Sequence, residues 1–442
     1  MLSALINSFR SNHFIITKSK SRLEEFELHS IQQEQLTPKN NDIERQNGRT
    51  RSRHISYLYE NRHPASLMNI GIYELEHFES VYPLIRLLDR PENRLFLFVS
   101  NHVQQELVQK LSNTQATIEW IIKPEQQSIR KFLFKIESET QKHRFLYLFL
   151  HTVSSNHLFF AYLIFRIHDQ TGVIVTLHDV NNLFQSHFTF HPRRLIRHIG
   201  KRLLIRQCKH YMTISESVAT YLKTLVKMNT TVQWFPGGLF EPEQYKTPEP
   251  ITNGLQLVVP GSVDPKRRNY EDVFQLIELL HANNIHIVIR LLGGFADLEN
   301  NDLLNKCRIV KQSYPGFNFY ESTFVAGNEY EEQLQKAHFV WVPSVLHTTI
   351  ADNIEELYGL SKSSGTLFDA IRFARPVLSP IELKTDQHQS AAVYSYSNLN
   401  DLLLFIKGNL NAPQTYNMWK DRAYETSCYY QIEQLRTTVS IA

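Results

Sequence analysis

The fold is decided by the stretch Leu255-Gln-Leu-Val-Val-Pro260-Gly261-Ser262, in which an apolar run stops at a glycine. The same change recurs downstream, where residues 285–294 end in Gly-Gly and residues 339–344 end in Pro-Ser. Short apolar runs that stop at such residues, with helical patterns between them, are typical of parallel strands in an α/β sheet. Ligands of these sheets bind at the carboxyl ends of the strands. We therefore predict an anion site at these turns.

A second series of apolar runs precedes this stretch and predicts another α/β half. The expected strands are residues 67–73, 94–100, 117–123, 144–151, 173–178, 211–215 and 232–235. Pro and Gly are dense in residues 236–250, as expected for a hinge between domains. We predict four parts: a partly flexible extension (1–65), two Rossmann-like α/β domains (66–245 and 246–405) and a C-terminal helical segment (406–442).

Composition excludes several classes of protein. The 442 residues include 47 Lys and Arg against 44 Asp and Glu, which is too balanced for a general nucleic-acid surface. Three widely spaced cysteines form no Cys-x-x-Cys pair, so we expect neither a disulfide framework nor a metal site built on cysteine. The most apolar region, residues 145–165, is interrupted by His, Ser and Asn and is too polar to span a membrane. A cytoplasmic protein fits best.

The turn after the 255–260 run is strongly basic, with Lys266, Arg267 and Arg268 in succession. Cationic side chains at a strand end can bind a diphosphate through charge-assisted hydrogen bonds and stabilise it as a leaving group. The alternative is a basic turn that faces only solvent. The preceding Gly261 and Ser262 are candidates for backbone contact with phosphate.

Small residues at 362–366, Lys-Ser-Ser-Gly-Thr, predict the start of a helix over Leu367–Ala374. The free N–H groups and the dipole of a helix N-terminus favour an anion, so Ser363, Ser364, Gly365 and Thr366 are candidate phosphate ligands. The alternative, which is compatible with the first, is a capping box formed by Thr366 and Asp369.

Two further patterns carry a functional and a structural interpretation each. His178-Asp179 ends the 173–178 strand and would face a ligand at that edge of the sheet, or be satisfied structurally. The basic run 191–206 predicts a helix with an apolar face and a basic side. The apolar face would carry Leu195, Ile196, Ile199, Leu203 and Leu204, and the basic side Arg193, Arg194, Arg197, Lys201 and Arg202. Such a helix could dock on anionic lipid at the inner face of the membrane, or pack on the core with its basic side in solvent.

The order of these signals resembles the donor half of GT-B glycosyltransferases, in particular family 4. The resemblance covers residues 255–380 well and residues 68–240 loosely. It implies two Rossmann-like domains with parallel sheets facing across a cleft, an acceptor domain first and a donor domain second. It also implies that the C-terminal segment crosses back to the first domain.

The same resemblance implies transfer of a sugar from a nucleotide diphosphate sugar to a saccharide or lipid-linked acceptor hydroxyl. Retention of configuration, no metal or other cofactor, and a place in cell-surface polysaccharide or glycolipid synthesis are implied with it. Residue by residue, it points to His178, Arg268 and Lys266 as catalytic, to Asp369 at the ribose and to Glu356 near the sugar. Gly261, Ser262, Arg267 and the four residues 363–366 would bind the donor phosphates.

The sequence departs from the family pattern at two positions. The family has an arginine directly after the glycine of the first turn, where this chain has Ser262. The family also has a glutamate eight positions before the second acid, where this chain has Ser361 before Asp369. A non-catalytic nucleotide-sugar-binding or scaffold protein of the same fold therefore stays open. A sugar-nucleotide 2-epimerase is a weaker alternative because the sequence shows no dense acid/base set.

Overall fold

Residues 67–299, 301–350 and 353–438 are described by the computed structural model. The predicted extension, residues 1–65, lies outside the described residues. The strands and helices belong to a first half, residues 67–234, and a second half, residues 256–438, joined by a connection with 3-10 turns at Pro242–Gln244 and Ile251–Asn253. Among the described residues, no helix combines the length and apolar character needed to cross a bilayer.

The first half alternates strands and helices around one parallel sheet with strand order β3-β2-β1-β4-β5-β6-β7. Its strands are β1 (Met68–Glu74), β2 (Asn93–Ser100), β3 (Thr117–Lys123), β4 (Tyr147–Leu150), β5 (Gly172–Leu177), β6 (His210–Thr213) and β7 (Thr231–Trp234). Its helices are α1 (Phe78–Leu88), α2 (Asn101–Lys110), α3 (Ile129–His143), α4 (His157–Ile167), α5 (Val180–Phe184), α6 (Pro192–Gln207) and α7 (Glu216–Leu225).

The second half contains a parallel sheet with strand order β10-β9-β8-β11-β14-β15 and a separate antiparallel hairpin, β12-β13. Its strands are β8 (Gln256–Pro260), β9 (Val288–Leu292), β10 (Phe317–Phe319), β11 (Phe339–Trp341), β12 (His347–Ile350), β13 (Ile354–Leu357), β14 (Val377–Pro380) and β15 (Val393–Tyr396). Its helices are α8 (Tyr270–Ala282), α9 (Asp302–Ser313), α10 (Gly327–Lys336), α11 (Gly365–Phe373), α12 (Leu399–Asn411), α13 (Pro413–Cys428) and α14 (Ile432–Thr438). The predicted architecture of two parallel Rossmann-like sheets is confirmed.

The central strands are apolar on both faces because helices cover both sides of each sheet. Leu257, Val258 and Val259 of β8 are all buried, and so are Leu148, Phe149 and Leu150 of β4. Continuous apolar runs of this kind are what parallel sheets require. The strand order reverses between β1 and β4 and between β8 and β11, and ligands of open α/β sheets bind at such switch points.

Several predicted elements differ in extent from the structure. The helix expected from Leu367 begins at Gly365, with Ser364 as its N-cap, and the 144–151 strand is confined to Tyr147–Leu150. The segment expected as one helix near the C-terminus divides into α13 and α14. The hairpin β12-β13 was not predicted, because its two strands are only four residues each and their alternation is short.

The C-terminal end of the chain returns to the first half. In α14, Leu435 packs with Leu87 of α1 and Leu239. Arg436 donates to the carbonyl oxygens of Arg86 at 3.0 Å and Asp89 at 2.6 Å. The chain therefore crosses between the halves twice.

Candidate functional site

The basic turn after β8 folds back so that Arg268 reaches the strand end. Its guanidinium donates to the carbonyl oxygens of Pro260 and Ser262, the latter at 2.9 Å, and to the hydroxyl of Thr366 at 3.1 Å. Thr366 belongs to the first turn of α11. Arg268 therefore joins two of the predicted phosphate-binding segments at the switch point of the second sheet.

The other two basic residues of this turn behave differently. Lys266 and Arg267 are exposed, and Arg267 pairs loosely with Asp264 at 3.5 Å. The backbone of the turn is nevertheless fixed, since the carbonyl of Lys266 accepts the hydroxyl of Thr348 at 3.2 Å. Only Arg268 of the three is directed inward, while Lys266 and Arg267 remain available to an anion from solvent.

Two glycines set the shape of this turn. Gly261 has a φ of 92°, a conformation that favours glycine, and its N–H donates to the carbonyl of Leu292 at 2.8 Å. A Cβ atom on Gly293 would overlap the carbonyl oxygen of Gly261. The turns after β8 and β9 can approach this closely only because Gly293 lacks a side chain.

The start of α11 has the features of an anion site. The first turn of a helix leaves backbone N–H groups without partners inside the helix, and Gly365 is exposed there, with open space where a Cβ would point. The Ser363 hydroxyl is buried and has no partner among the described residues. Ser364 makes no side-chain cap.

The predicted capping box of Thr366 and Asp369 is wrong. Ser364 occupies the N-cap position, and Asp369 lies in the second turn of α11. Its carboxylate accepts from the hydroxyl of Tyr330 at 2.7 Å and from Arg372 at 3.3 Å. Burial raises the pKa of Asp369, and Arg372 and Tyr330 oppose that shift. Each oxygen keeps acceptor capacity beyond its one protein partner, so a ribose contact stays a prediction.

The two halves meet where His178 and α11 face each other. Asp179, next to His178, forms a backbone bridge and an ion pair with Lys362, next to Ser363. The N–H of Val180 donates to the carbonyl of Ser361 at 2.9 Å. His178 and the start of α11 therefore lie on either side of one ion pair between the halves.

The hairpin β12-β13 also docks on the first half. Glu356 is fully buried and accepts the N–H of Asn182, in α5, at 2.7 Å, while Asn181 donates its side-chain amide to the carbonyl of Glu355 at 2.9 Å. The other oxygen of Glu356 is buried and has no partner in the described part of the chain. The structure places Glu356 against the α5 backbone, and its position near a sugar stays a prediction.

Burial raises the pKa of Glu356 to about 7, helped by the nearby Asp179 and opposed by hydrogen bonds from Ser361 and Asn182. The Tyr221 phenol is another ionisable group that interacts with Glu356, and the nearby Asp179 is itself paired with Lys362. At a pH between 4.5 and about 7, a glutamate in the unfolded chain is deprotonated, whereas Glu356 in the folded protein still holds its proton. The interdomain contact is therefore sensitive to pH.

We expect stability that depends on Glu356 to fall as pH rises. Between the unfolded pKa of 4.5 and the folded value of about 7, the folded state binds one more proton than the unfolded state. The free energy of unfolding should then decrease by up to about 1.4 kcal/mol per pH unit in this window and level off above it. Glu356→Gln cannot ionise and should lose this slope.

Urea denaturation of wild type and Glu356→Gln at several pH values from about 4.5 to 8 measures the effect. The matched control is Glu332→Gln, an exposed glutamate paired with Lys336, which should follow the wild-type curve. Parallel curves for wild type and Glu356→Gln would show that the Glu356 carboxyl is not buried in the way described.

The carboxyl ends of β1, β4 and β5 bring Glu74, His151 and His178 together in the first half. One ligand atom of each lies within 4.8 Å of the others. Glu74 and His151 are fully buried. The sequence prediction named only His178, although both other residues also follow or end an apolar strand. The expectation that the chain lacks an acid/base set is therefore wrong at the level of the folded structure.

His178 is held as a neutral ring. Its Nε2 lies 3.1 Å from the carbonyl oxygen of His151, which can only accept, so Nε2 carries a proton and Nδ1 has the lone pair. Burial lowers the pKa of His178 to about 4, and His77 adds to the shift while Asp179 opposes it. A neutral ring of this kind can accept a hydrogen bond from a hydroxyl or bind a metal.

The basic run forms α6 as predicted, but its faces differ from the expectation. Lys201, assigned to the basic side, is fully buried and donates to the side chain of Asn182 at 2.8 Å. Ile196, assigned to the apolar face, is 57% exposed. Just before the helix, Phe188 and Phe190 are 62% and 88% exposed. The outer surface of this region is therefore aromatic as well as basic.

The structure thus gathers some of the predicted site residues and separates others. His178, residues 363–366 and Arg268 form one chain of contacts through the Asp179–Lys362 pair and Thr366. Lys266 and Arg267 lie exposed beside this chain.

Comparison with known proteins gives a fold and no family. No family model matches the chain, and no curated protein matches it. Among solved structures, HepE of Anabaena, in complex with UDP and glucose, matches 84% of this chain and 98% of its own at 14% identity and a TM-score of 0.56. The galactosyltransferase WaaB of the lipopolysaccharide outer core matches 84% of this chain and 97% of its own, at 9% identity and a TM-score of 0.50.

A putative UDP-N-acetylglucosamine 2-epimerase from Listeria monocytogenes matches 80% of this chain and 91% of its own, at 9% identity and a TM-score of 0.50. A galactosyltransferase and a putative epimerase thus share one architecture with this chain, and identities this low report on fold alone. The chain has the GT-B fold.

Proposed function

We propose that this protein is a glycosyltransferase that moves a sugar from a nucleotide diphosphate sugar to an acceptor hydroxyl. One observation carries the proposal: the Asp179–Lys362 pair places His178 of the first half beside the start of α11, whose Thr366 contacts Arg268. A cation, a helix N-terminus and a neutral histidine are thereby aligned across the two halves. The cation and the helix N-terminus can stabilise a departing diphosphate, and the histidine can accept a hydrogen bond from an incoming hydroxyl.

In the proposed reaction Arg268, with the exposed Lys266 and Arg267, neutralises the charge that develops on the diphosphate. The N–H groups of Gly365 and Thr366 and the free hydroxyl of Ser363 bind the same phosphates, and Asp369 accepts the ribose hydroxyls. His178 contacts the sugar or the acceptor. We propose that the transfer step follows family 4 in retaining the anomeric configuration and in needing no metal.

A panel of nucleotides tests the proposal. Thermal unfolding is measured with UDP, GDP and ADP and with the matching nucleosides. A diphosphate at a hundredfold its dissociation constant should add about 2.7 kcal/mol of stability, and its nucleoside should add much less. Slow hydrolysis of the corresponding nucleotide sugar without added acceptor then supports transfer. No stabilisation by any diphosphate would refute the proposal.

A non-catalytic donor-binding protein is the second candidate, favoured by one observation. Ser361 stands where the family has its first acid; it is buried, and its hydroxyl accepts the N–H of Leu357 at 2.9 Å. Glu356, the acid nearest to Ser361 in sequence, accepts a hydrogen bond from the N–H of Asn182. Tight diphosphate binding with no turnover of any nucleotide sugar would favour this candidate. Release of a free sugar 2-epimer would instead favour an epimerase, using the Glu74–His151–His178 group.

We also propose that α6 and the aromatic residues before it dock on an anionic membrane surface, which would bring a lipid-linked acceptor to the cleft. The exposed Phe188 and Phe190 would insert at the interface beside the exposed Arg193 and Arg202. A cytoplasmic location belongs to the same proposal and agrees with the free thiols Cys208, Cys307 and Cys428.

We expect the double change Phe188→Ser and Phe190→Ser to weaken binding to vesicles containing phosphatidylglycerol by at least about tenfold, since each buried ring contributes roughly 1.5–3 kcal/mol. Cosedimentation measures the bound fraction. The control is Phe324→Ser, an equally exposed ring in the second half, which should bind as wild type does. Equal binding of wild type to vesicles of phosphatidylcholine alone would contradict docking on anionic lipid.

A further inference from the structure

We infer that the carboxyl ends of β1, β4 and β5 form a binding site for one divalent transition-metal ion, held by Glu74, His151 and His178. One ligand atom of each residue lies within 4.8 Å of the other two. The site lies at the switch point of the first sheet, where the strand order reverses between β1 and β4. The inference goes beyond the proposed sugar transfer and does not depend on it.

Glu74 supplies a buried carboxyl group. Its side chain is fully buried, and no cationic group of the described residues pairs with it within 4.0 Å. One oxygen accepts the N–H groups of Glu76 at 2.6 Å and His77 at 2.9 Å, and the other accepts the hydroxyl of Thr152 at 2.6 Å. An ionised carboxylate satisfies these three donors, and leaving it without a cation is costly. A divalent ion would offset that cost.

His151 supplies a buried nitrogen without a partner. Its Nε2 lies 3.0 Å from the hydroxyl oxygen of Ser80, and that hydroxyl also reaches the carbonyl of His77 at 3.3 Å. When the hydroxyl donates to the carbonyl, Nε2 carries the ring proton and Nδ1 has the lone pair. Nδ1 is buried and meets no hydrogen-bond partner among the described residues. A lone pair in this position is available to a metal.

His178 repeats the same arrangement. Its Nε2–H is directed at the carbonyl oxygen of His151, 3.1 Å away, so the lone pair of the neutral ring is on Nδ1. Metal-binding histidines commonly have this pattern: the outer N–H is held by a carbonyl or hydroxyl, which fixes the ring and leaves the other nitrogen for the ion. Both histidines therefore have the outer hydrogen bond that a metal site requires.

Two neutral imidazoles and one carboxylate match the preferences of Zn²⁺ and of its analogues Co²⁺ and Ni²⁺, and disfavour Mg²⁺ and Ca²⁺, which take oxygen ligands. A tetrahedral ion with bonds of about 2.0 Å separates its ligand atoms by roughly 3.3 Å, so the rings must rotate inward. The χ2 torsion of histidine is soft enough to permit this. Three protein ligands would leave one coordination position of such an ion open.

The competing explanation is an internal water molecule bound to Nδ1 of His151. Water would satisfy the same nitrogen without selecting a metal and without requiring the carboxylate. The two explanations differ in what Glu74→Gln does, since the amide keeps the shape but removes the charge.

The test is a Zn²⁺ titration of untagged full-length protein, after dialysis against EDTA, by calorimetry, with a parallel Co²⁺ titration followed by visible absorption. We expect one ion per chain at the site, a raised melting temperature and d–d bands of a low-coordinate Co²⁺ site. Glu74→Gln and His151→Gln should each weaken this binding by more than 100-fold, since losing even an outer-shell partner typically costs 10–100-fold. Thr152→Val, which removes the hydroxyl that holds Glu74, should fall in that 10–100-fold range.

His168→Gln is the matched control, because this half-exposed histidine lies beside Asp169 outside the site and should bind Zn²⁺ as wild type does. Circular dichroism and diphosphate binding in EDTA establish that each variant is folded, and diphosphate binding also reports separately on the proposed transferase site. The inference is overturned if wild type binds no ion. It is equally overturned if Glu74→Gln and His151→Gln bind Zn²⁺ as wild type does. In that case surface histidines would bind the Zn²⁺, and an internal water would satisfy Nδ1 of His151.

Discussion

Arg268→Ala should weaken binding of the selected nucleoside diphosphate about 10- to 150-fold and leave binding of its nucleoside nearly unchanged. The guanidinium lies at the end of β8 and reaches the first turn of α11 through Thr366. A charged hydrogen bond to phosphate contributes about 1.5–3 kcal/mol, and the nucleoside has no phosphate with which to form it. Calorimetric titration with both ligands gives the two ratios.

Arg267→Ala is the matched control for Arg268. Arg267 is adjacent, equally charged and exposed, and its side chain pairs only loosely with Asp264. It should lose less affinity than Arg268→Ala, and that loss should shrink in high salt because exposed charges are screened. A similar loss of diphosphate and nucleoside affinity in Arg268→Ala would indicate a collapsed turn rather than a lost phosphate contact.

Gly293→Ala should destabilise the protein by about 3 kcal/mol, the upper end of the range for overpacking. The added methyl group would overlap the carbonyl oxygen of Gly261. Because the atoms that it meets, in Gly261 and Ser262, belong to the backbone, no side chain can move aside. Because Gly261 opens the basic turn, we also expect diphosphate affinity to fall. Denaturant unfolding and ligand titration measure the two effects.

Gly327→Ala is the matched control for Gly293→Ala. Gly327 begins α10, and nothing lies within 4 Å of the position where its Cβ would be. This change should be neutral or slightly stabilising, since alanine is favoured over glycine in helices. A stability loss in Gly293→Ala no larger than that in Gly327→Ala would mean that the two turns are not in contact as described.

Local sequence could predict the sheets because each strand carries its own signal. The run Leu255–Pro260 is apolar and stops at a glycine, and the β8 strand that it predicts is found at Gln256–Pro260. The same reasoning placed His178 at the end of a strand, and the structure has it directly after Leu177 of β5. Patterns of this kind depend on neighbours in the chain and need no knowledge of tertiary contacts.

Contacts between distant segments could not be predicted in this way. Nothing near Glu356 in sequence indicates that it accepts a hydrogen bond from Asn182, 174 positions away. Glu74 and His151 are unremarkable singly, and the parallel pairing of β1 with β4 is what brings their side chains together. A cap was the alternative interpretation of Asp369 because Thr366 stands three positions earlier, whereas its carboxylate accepts from Tyr330 of another helix.

The double crossing of the chain restricts how the two halves can move. Tyr245, in the first crossing, and Tyr424, in the second, pack against each other as tilted rings with centroids 4.9 Å apart. Two rigid domains joined by one chain segment can rotate in any direction. Two adjacent connecting segments restrict them to rotation about a single axis through the contact. The cleft should therefore open by a hinge rotation about this axis rather than by twisting or sliding of the two halves. Such a motion would part the Asp179–Lys362 pair while leaving Tyr245 and Tyr424 in contact.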